Sequence, residues 1–417
     1  MLPRWLPAIL LICLLLATPG CWDRSDPELL AIVLAVAFDL DEKNELYQVI
    51  AQVVDPVAMG GAQSGDGGGG GGGGAAFWTV AASGRTPFEA LQNLAGVSSR
   101  QLFWAHSRVL LLSERLARRG IGEVLDLIER ERQFRPIMSV VVVEGDLKGL
   151  MKAEFPLEET GGRGIDRMLI TTRSDTSIYV LKQVSEIYNT LSQPGIELLV
   201  GKMAVLREGL PAQGGEDSSA QDQGGKGGSA GKISPVQIGG AAIFKGDRLV
   251  GWGDTNHARG WNYATAMGKR FSFVIDCPMH SGGNLLSIQN YAVKSRMRPL
   301  VSGSDLGATI TVQVEGRLEE ISCPYEHDLG VHGDFIKRVE HACAQSVRSR
   351  ILELLKLSRE LNADVLGFGN LFYRKQPRLW KEIEASWDEI YPTLDVTVEV
   401  EYNLTRAGMV ADQIKER

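Results

Sequence analysis

Cys21 is the residue whose chemistry is set most clearly by its neighbours. It follows Ala17, Thr18, Pro19 and Gly20, small residues that let a peptidase reach the bond before the cysteine. Its thiol is the only nucleophile at this junction able to take a diacylglycerol as a thioether. Upstream, Arg4 precedes an apolar run of ten residues, 8–17 (AILLICLLLA). A bilayer-spanning helix needs roughly twenty apolar residues, so the run fits the core of a signal peptide over residues 1–20. Two acyl chains on Cys21 would anchor the chain, at about 0.8 kcal/mol per buried CH₂. Thr18 and Pro19 are unusual before a lipidated cysteine. Ordinary cleavage beside a free Cys21 and an uncleaved anchor are the alternatives.

Other residues with suggestive chemistry lack the company they would need. His327 and His332 bracket Asp328, with Cys323 upstream, but no second ligand pair stands at zinc-site spacing. Asp39, Asp41 and Asn44 are spaced as in a calcium loop, without the Gly and Glu that close an EF-hand. A solvated hairpin turn is expected there instead. His106, in LFWAHSRVLLL, reads as a core or capping histidine entering a buried strand. Glu158-Glu159 and Glu319-Glu320 sit in solvated stretches with no pairing logic for acid–base work. The glycine tract is followed by no Lys-Ser or Lys-Thr, so it is not a phosphate loop, and no G-x-S-x-G elbow occurs. The expectation is therefore no enzyme, no metal and no cofactor.

The net charge of −7 argues against a nucleic-acid partner, which would want a clustered basic face. No stretch after the leader reaches spanning length. Cys277, Cys323 and Cys343 have neither the number nor the spacing of a disulfide scaffold. One pair, Cys323 with Cys343, is conceivable. Because Cys343 falls on an apolar helix face, a buried thiol is an equal expectation.

The elements that must carry these residues alternate in type. Two low-complexity stretches, 60–74 and about 213–231, cannot bury apolar surface and should be flexible. Residues 29–40 and 46–54 read as a hairpin around DEKNE. Thr86 is placed to cap a helix with Pro87 in its first turn. Residues 113–132 read as one charged amphipathic helix, and 160–200 as mostly helical. In 334–357, Phe335, Val339, Cys343, Val347, Ile351 and Leu355 recur every four residues on one helix face. Trp380, Trp387 and Tyr391 lie in an amphipathic helix, where the two tryptophans are expected to pack into the core. Leu394, Val396, Val398, Val400, Tyr402 and Leu404 alternate with polar residues as in a half-buried strand. The predicted class is α+β (mixed α/β), multi-domain, with antiparallel or mixed sheets packed with helices. The predicted divisions are a signal peptide (1–20), an N-terminal α/β region (21–200), a linker or long loop (201–236) and a C-terminal, antiparallel α+β domain (237–417).

Several stretches taken together resemble the Ger(x)C spore germination lipoproteins. They are CWDRSDPELLAIVLAVAFDLDE with YQVIAQVVDP, SGRTPFEALQNL, SSRQLFWAHSRVLLLSERLARRGI, AAIFKGDRLVGW, and ADVLGFGNLFYRKQPRLWKEIEASWDEIYPTLDVTVEVEYNLTRAG. The resemblance implies a mixed α/β fold and a non-catalytic C subunit of a nutrient germinant receptor. It further implies lipid anchoring through Cys21 on the outer face of the spore inner membrane, beside polytopic A and B subunits. Whether such a subunit binds a small molecule directly is left open. The alternative from another class is a solute-binding lipoprotein serving a membrane transporter, although no two-lobed βα repeat is visible.

Overall fold

The computed structural model describes Trp5 and residues 29–54, 77–205, 236–322 and 333–406, save 154, 156, 157, 159, 269, 280–283 and 304. The predicted leader, Cys21, the 60–74 and 213–231 stretches, Cys323, His327 and His332 lie outside the described residues.

The first hairpin forms as its pattern predicts. Strands β1 (Leu30–Asp41) and β2 (Leu46–Val54) pair antiparallel, with Asp41 opposite Leu46. Asn44 donates to the Asp41 carboxylate at 2.8 Å and closes the turn. Then follow β3 (Phe77–Gly84), β4 (Gln101–Phe103), β5 (Val109–Ser113), β6 (Ser139–Glu144), β7 (Lys182–Gln183), β8 (Leu199–Val205), β9 (Val236–Lys245) and β10 (Arg248–Gly253). They form one sheet in the order β10-β9-β8-β6-β5-β1-β2-β3, with β4 beside β1 and β7 beside β6. At its centre β1, β5, β6 and β8 are mutually parallel. Their runs VLLL and VVVV are buried throughout, as expected where helices cover both faces of a parallel sheet.

One face is covered by α1 (Pro87–Ala95), α2 (Glu114–Arg119), α3 (Gly122–Arg130) and, further along, Val184–Leu191, through Leu94, Leu116, Val124 and Ile187. Helices α4 (Leu147–Lys152) and α5 (Gly161–Asp175) cover the other face, through Leu147, Leu150, Ile165 and Leu169. Val184–Leu191 is α6. Thr86 caps α1, accepting the Glu89 N–H at 3.1 Å.

Two expected helices are shorter than their patterns. The single helix expected over 113–132 is two, because Gly120 turns out of α2 at φ 137°. The chain there is held from outside, by Ile121 N–H to the Asp247 carbonyl (3.0 Å) and Gly122 N–H to its carboxylate (3.2 Å). The region expected to be mostly helical over 160–200 contains α5 and α6, but residues 176–183 between them leave the helix. Asn262 donates to the carbonyls of Ser177 and Tyr179 at 2.9 and 3.0 Å, so a distant side chain takes over bonds that a helix would make internally.

Residues 201–236 do not begin as a linker. Residues 201–205 belong to β8, which pairs antiparallel with β9. Strands β9 and β10, expected in the C-terminal region, thus complete the first sheet. Antiparallel neighbours need only a turn between them, and extra chain costs little closure entropy.

After α7 (Thr255–Thr265), a second sheet is built from β11 (Phe271–Asp276), β12 (Leu285–Ser302), β13 (Asp305–Ile321) and β14 (Asp395–Arg406), in that order. Its first three strands are antiparallel, whereas β14 lies parallel to β13, so the wholly antiparallel expectation fails at the last strand. A parallel pair requires a long crossover, supplied by α8 (Gly333–Glu360), α9 (Phe368–Lys375), α10 (Pro377–Ile383) and α11 (Trp387–Ile390). The four-residue stripe of α8 is buried from Phe335 to Leu355; each large apolar side chain removed from water contributes about 1.5–3 kcal/mol. Its core continues past Val180 into the first sheet through Leu199, Ala241 and Ile243. Trp380 and Trp387 are buried as expected, although a 3-10 turn, Glu384–Ser386, interrupts their helix. Cys343 is a free, buried thiol, so it makes no pair with Cys323, while Cys277 is disulfide-bonded. The fold is mixed α+β, two sheets each packed with helices. Among the described residues no helix is long and apolar enough to cross a membrane.

Candidate functional site

A buried carboxylate that accepts three backbone hydrogen bonds lies where the two sheets meet. Asp364 falls in the turn between α8 and α9, in ADVLGFGN, and is 3% exposed. Gly367 adopts a left-handed φ of 72°, which turns three successive amides towards one carboxylate. Gly367 and Phe368 donate to Oδ1 at 2.8 and 3.0 Å, and Gly369 donates to Oδ2 at 2.8 Å. Burial pushes the carboxyl up to about 7, against the pull of those donors. The group orients a loop, and its acceptor positions are occupied by backbone.

That loop is docked on the N-terminal region. The Asp364 carbonyl accepts the Glu197 N–H at 2.9 Å, and Asn370 N–H donates to the Gly195 carbonyl at 2.7 Å. The Asn370 side chain reaches the Pro194 carbonyl at 3.2 Å. Beside it, Lys245 bridges the Asp388 carboxylate at 2.9 Å and the Asn362 carbonyl at 2.8 Å. Glu197 accepts the Gly246 N–H at 2.6 Å, and burial raises its carboxyl. Trp380, Trp387 and Tyr391 pack behind the joint, with ring centroids 5.5 Å apart for the tryptophans and 6.2 Å for Trp387 and Tyr391. Tyr391 bonds Ser358 in the last turn of α8. The joint therefore couples the sheets through backbone hydrogen bonds and an aromatic cluster.

His106 occupies a second place of interest. It ends the 3-10 turn Trp104–His106, edge-on to Phe103 at 5.5 Å, and lines a cavity of about 410 Å³ with Arg108, Arg135, Ile137, Asp166 and Ile170. Arg108 approaches Asp166 at 3.4 Å. Burial raises the Asp166 carboxyl, and the Arg108 charge opposes that rise. The cavity opens beside the N-terminal ends of β5 and β6, whereas α/β sheets hold ligands outside the C-terminal ends of their strands. It is at the small end of ligand-site volumes.

The remaining candidates disperse. Asp39 is buried and ion-paired with Arg115 at 2.5 Å, while Asp41 and Asn44 close the hairpin turn. Glu158 lies 3.6 Å from Arg163, Glu319 pairs with Arg317, and Glu320 accepts from Ser287 at 3.1 Å. No group of three or more His, Cys, Asp or Glu among the described residues could hold a metal ion. Sequence reasoning missed Asp364. Its signal was an Asp followed at three and five residues by glycines, the pattern of a carboxylate wrapped by its own following amides.

Comparison with known proteins decides the family. Residues 23–205 match the spore germination protein N-terminal domain, and residues 239–408 match the spore germination B3/GerAC-like C-terminal domain. The chain belongs to the GerAC family of spore germination proteins. GerAC-type relatives in Bacillus subtilis (strain 168) match over nearly their whole length. Spore germination protein KC is 23% identical over 100% of this chain and 99% of its own. Spore germination protein YndF is 25% identical over 99% of each, and spore germination protein B3 is 21% identical over 95% of this chain and 96% of its own. The crystal structure of the GerBC protein matches the fold with a TM-score of 0.54 at 14% identity, over 90% of this chain and 98% of that one. The GerAC N-terminal match ends at Val205, the last residue of β8, and the C-terminal match opens inside β9. The two family regions thus meet across one strand pair of the first sheet.

Proposed function

We propose that this chain is the non-catalytic C subunit of a membrane germinant receptor, required for nutrient-triggered spore germination. In this reading, lipid on Cys21 holds it to the outer face of the spore inner membrane, and two polytopic subunits are its partners. The observation that carries the reading is the pair of consecutive GerAC-family matches, the first of which begins at residue 23, two residues after Cys21. A tether converts partner binding into a near-intramolecular event by raising effective concentration. The tethered part then needs only interfaces, and the joint around Asp364 keeps its two sheets in one fixed relation for that purpose.

Replacing Cys21 with Ala tests both halves of the reading. The variant should leave the membrane fraction or accumulate unprocessed, and spores carrying it should respond poorly to nutrients. Unchanged membrane fractionation would remove the lipid anchor from the proposal. A deletion strain that germinates normally across a nutrient panel would remove the receptor role.

A further inference from the structure

Strand β12 is longer than the neighbour on its outer side. Its pairs with β11 run only from Leu285 to Asn290, while its pairs with β13 continue to Ser302. Over residues 292–302, roughly 35 Å of strand, no described strand lies on the outer side. No backbone group there bonds to any described residue outside β13. The opposite edge of the sheet is closed. Helix α8 bonds the free side of β14, with Arg348 donating to the Val398 carbonyl at 3.2 Å and Glu340 accepting the Leu404 N–H at 2.8 Å. Arg359 donates to the Leu394 carbonyl at 2.5 Å.

The open segment is patterned. Val293, Ser295 and Met297 lie opposite Val314, Val312 and Ile310, whose side chains are buried, so they belong to the inner face. Lys294, Arg296 and Arg298 lie opposite Gln313, Thr311 and Thr309 on the outer face and are exposed. None of these three cations has an ion pair or hydrogen bond among the described residues. Further across the same face, Glu399 and Glu401 lie opposite Thr311 and Gln313, and accept from them at 3.4 and 2.9 Å. Two strand spacings, about 10 Å, separate the cationic column from the acidic one.

This arrangement selects among occupants. A second copy pairing antiparallel edge to edge about Arg296 would set Arg296 against itself and Lys294 against Arg298, and like charges directly opposite are destabilising. A flat anionic membrane laid on this face would meet the acidic column as well. An extended strand with carboxylates at alternate positions would complete the unpaired backbone and neutralise the three cations. We infer that residues 292–302 of β12 are an acceptor edge for strand addition by an acidic, extended segment of a partner protein. The inference does not depend on the germination reading, because it rests on the edge alone.

The probe is a short fluorescein-labelled peptide alternating Glu and Thr, with a control of the same composition carrying its glutamates in one block. Fluorescence anisotropy with the full chain in detergent micelles should show binding of the alternating peptide in preference to the block. Hydrogen exchange should show new amide protection within residues 292–302 of the unaltered protein. The neutral variant Lys294→Gln/Arg296→Gln/Arg298→Gln, whose native side chains hold no ion pair or hydrogen bond among the described residues, should bind about tenfold more weakly. The charge-reversed Lys294→Glu/Arg296→Glu/Arg298→Glu should prefer an alternating Lys-Thr peptide. Absence of binding, equal binding of the block peptide, or protection elsewhere would each overturn the inference. So would phosphatidylglycerol vesicles captured through these cations in place of the peptide, an outcome that assigns them to a lipid surface.

Discussion

Gly195 and Gly369 meet backbone to backbone across the junction of the two sheets. A methyl group on Gly195 would fall 2.5 Å from the Gly369 carbonyl carbon, and one on Gly369 would fall 2.7 Å from Gly195 Cα. Gly195 also holds a left-handed φ of 66°. Gly195→Ala should therefore destabilise the protein by at least about 2 kcal/mol, from overpacking and left-handed strain together. Urea unfolding checks this, and an unmoved midpoint would mean that the two loops separate at no cost.

Asp364 should give the protein a pH dependence of known sign. Unfolded, its carboxyl ionises near the ordinary 3.8, whereas folded it keeps its proton up to about 7. The folded state thus binds the extra proton between those values. The stability this one group contributes is greatest below about 4, falls as the pH rises towards about 7, and is flat above. Asp364→Asn, which cannot ionise, should lose that slope while costing about 1–3 kcal/mol for the amide bond it cannot accept. Unfolding series of both proteins over this interval decide the matter; parallel profiles would refute the assignment.

Cys343 should resist alkylation in the native protein. It is fully buried beneath the second sheet, and burial pushes its thiol up to about 12. Iodoacetamide should label it only after unfolding, without any reductant, because it is in no disulfide. Mass spectrometry of native and unfolded samples reads this directly. Native labelling at Cys343 would show that α8 lifts from the sheet.

Local patterns were legible wherever one element buries one face. The stripe from Phe335 to Leu355, the alternation along β14 and the turn at Asn44 each follow from contacts within a few residues. What failed depended on distant partners. The helix expected through Gly120 is broken by bonds to Asp247, and the chain near Tyr179 is held by Asn262. Neither partner is marked in the local pattern. The membership of β9 and the parallel setting of β14 are likewise decided by which edge a strand finds, and side-chain alternation carries no such information. Of the candidate sites, Cys21 was visible from its surroundings in the chain. The Asp364 joint was not, because the glycines three and five residues on mark a turn around the carboxylate but say nothing of the distant loop at 194–197 that buries it.

The pairing of β8 with β9 means that residues 206–235 connect two halves of one sheet. A polypeptide severed there would yield one fragment ending in β8, still paired with β6 but open on its other side, and another beginning with β9, still paired with β10 but open towards β8. The second fragment would hold the whole β11–β14 sheet, while neither would hold the first. Each would present an apolar raw edge until it met the other, so the two pieces would have to be produced together to remain in solution.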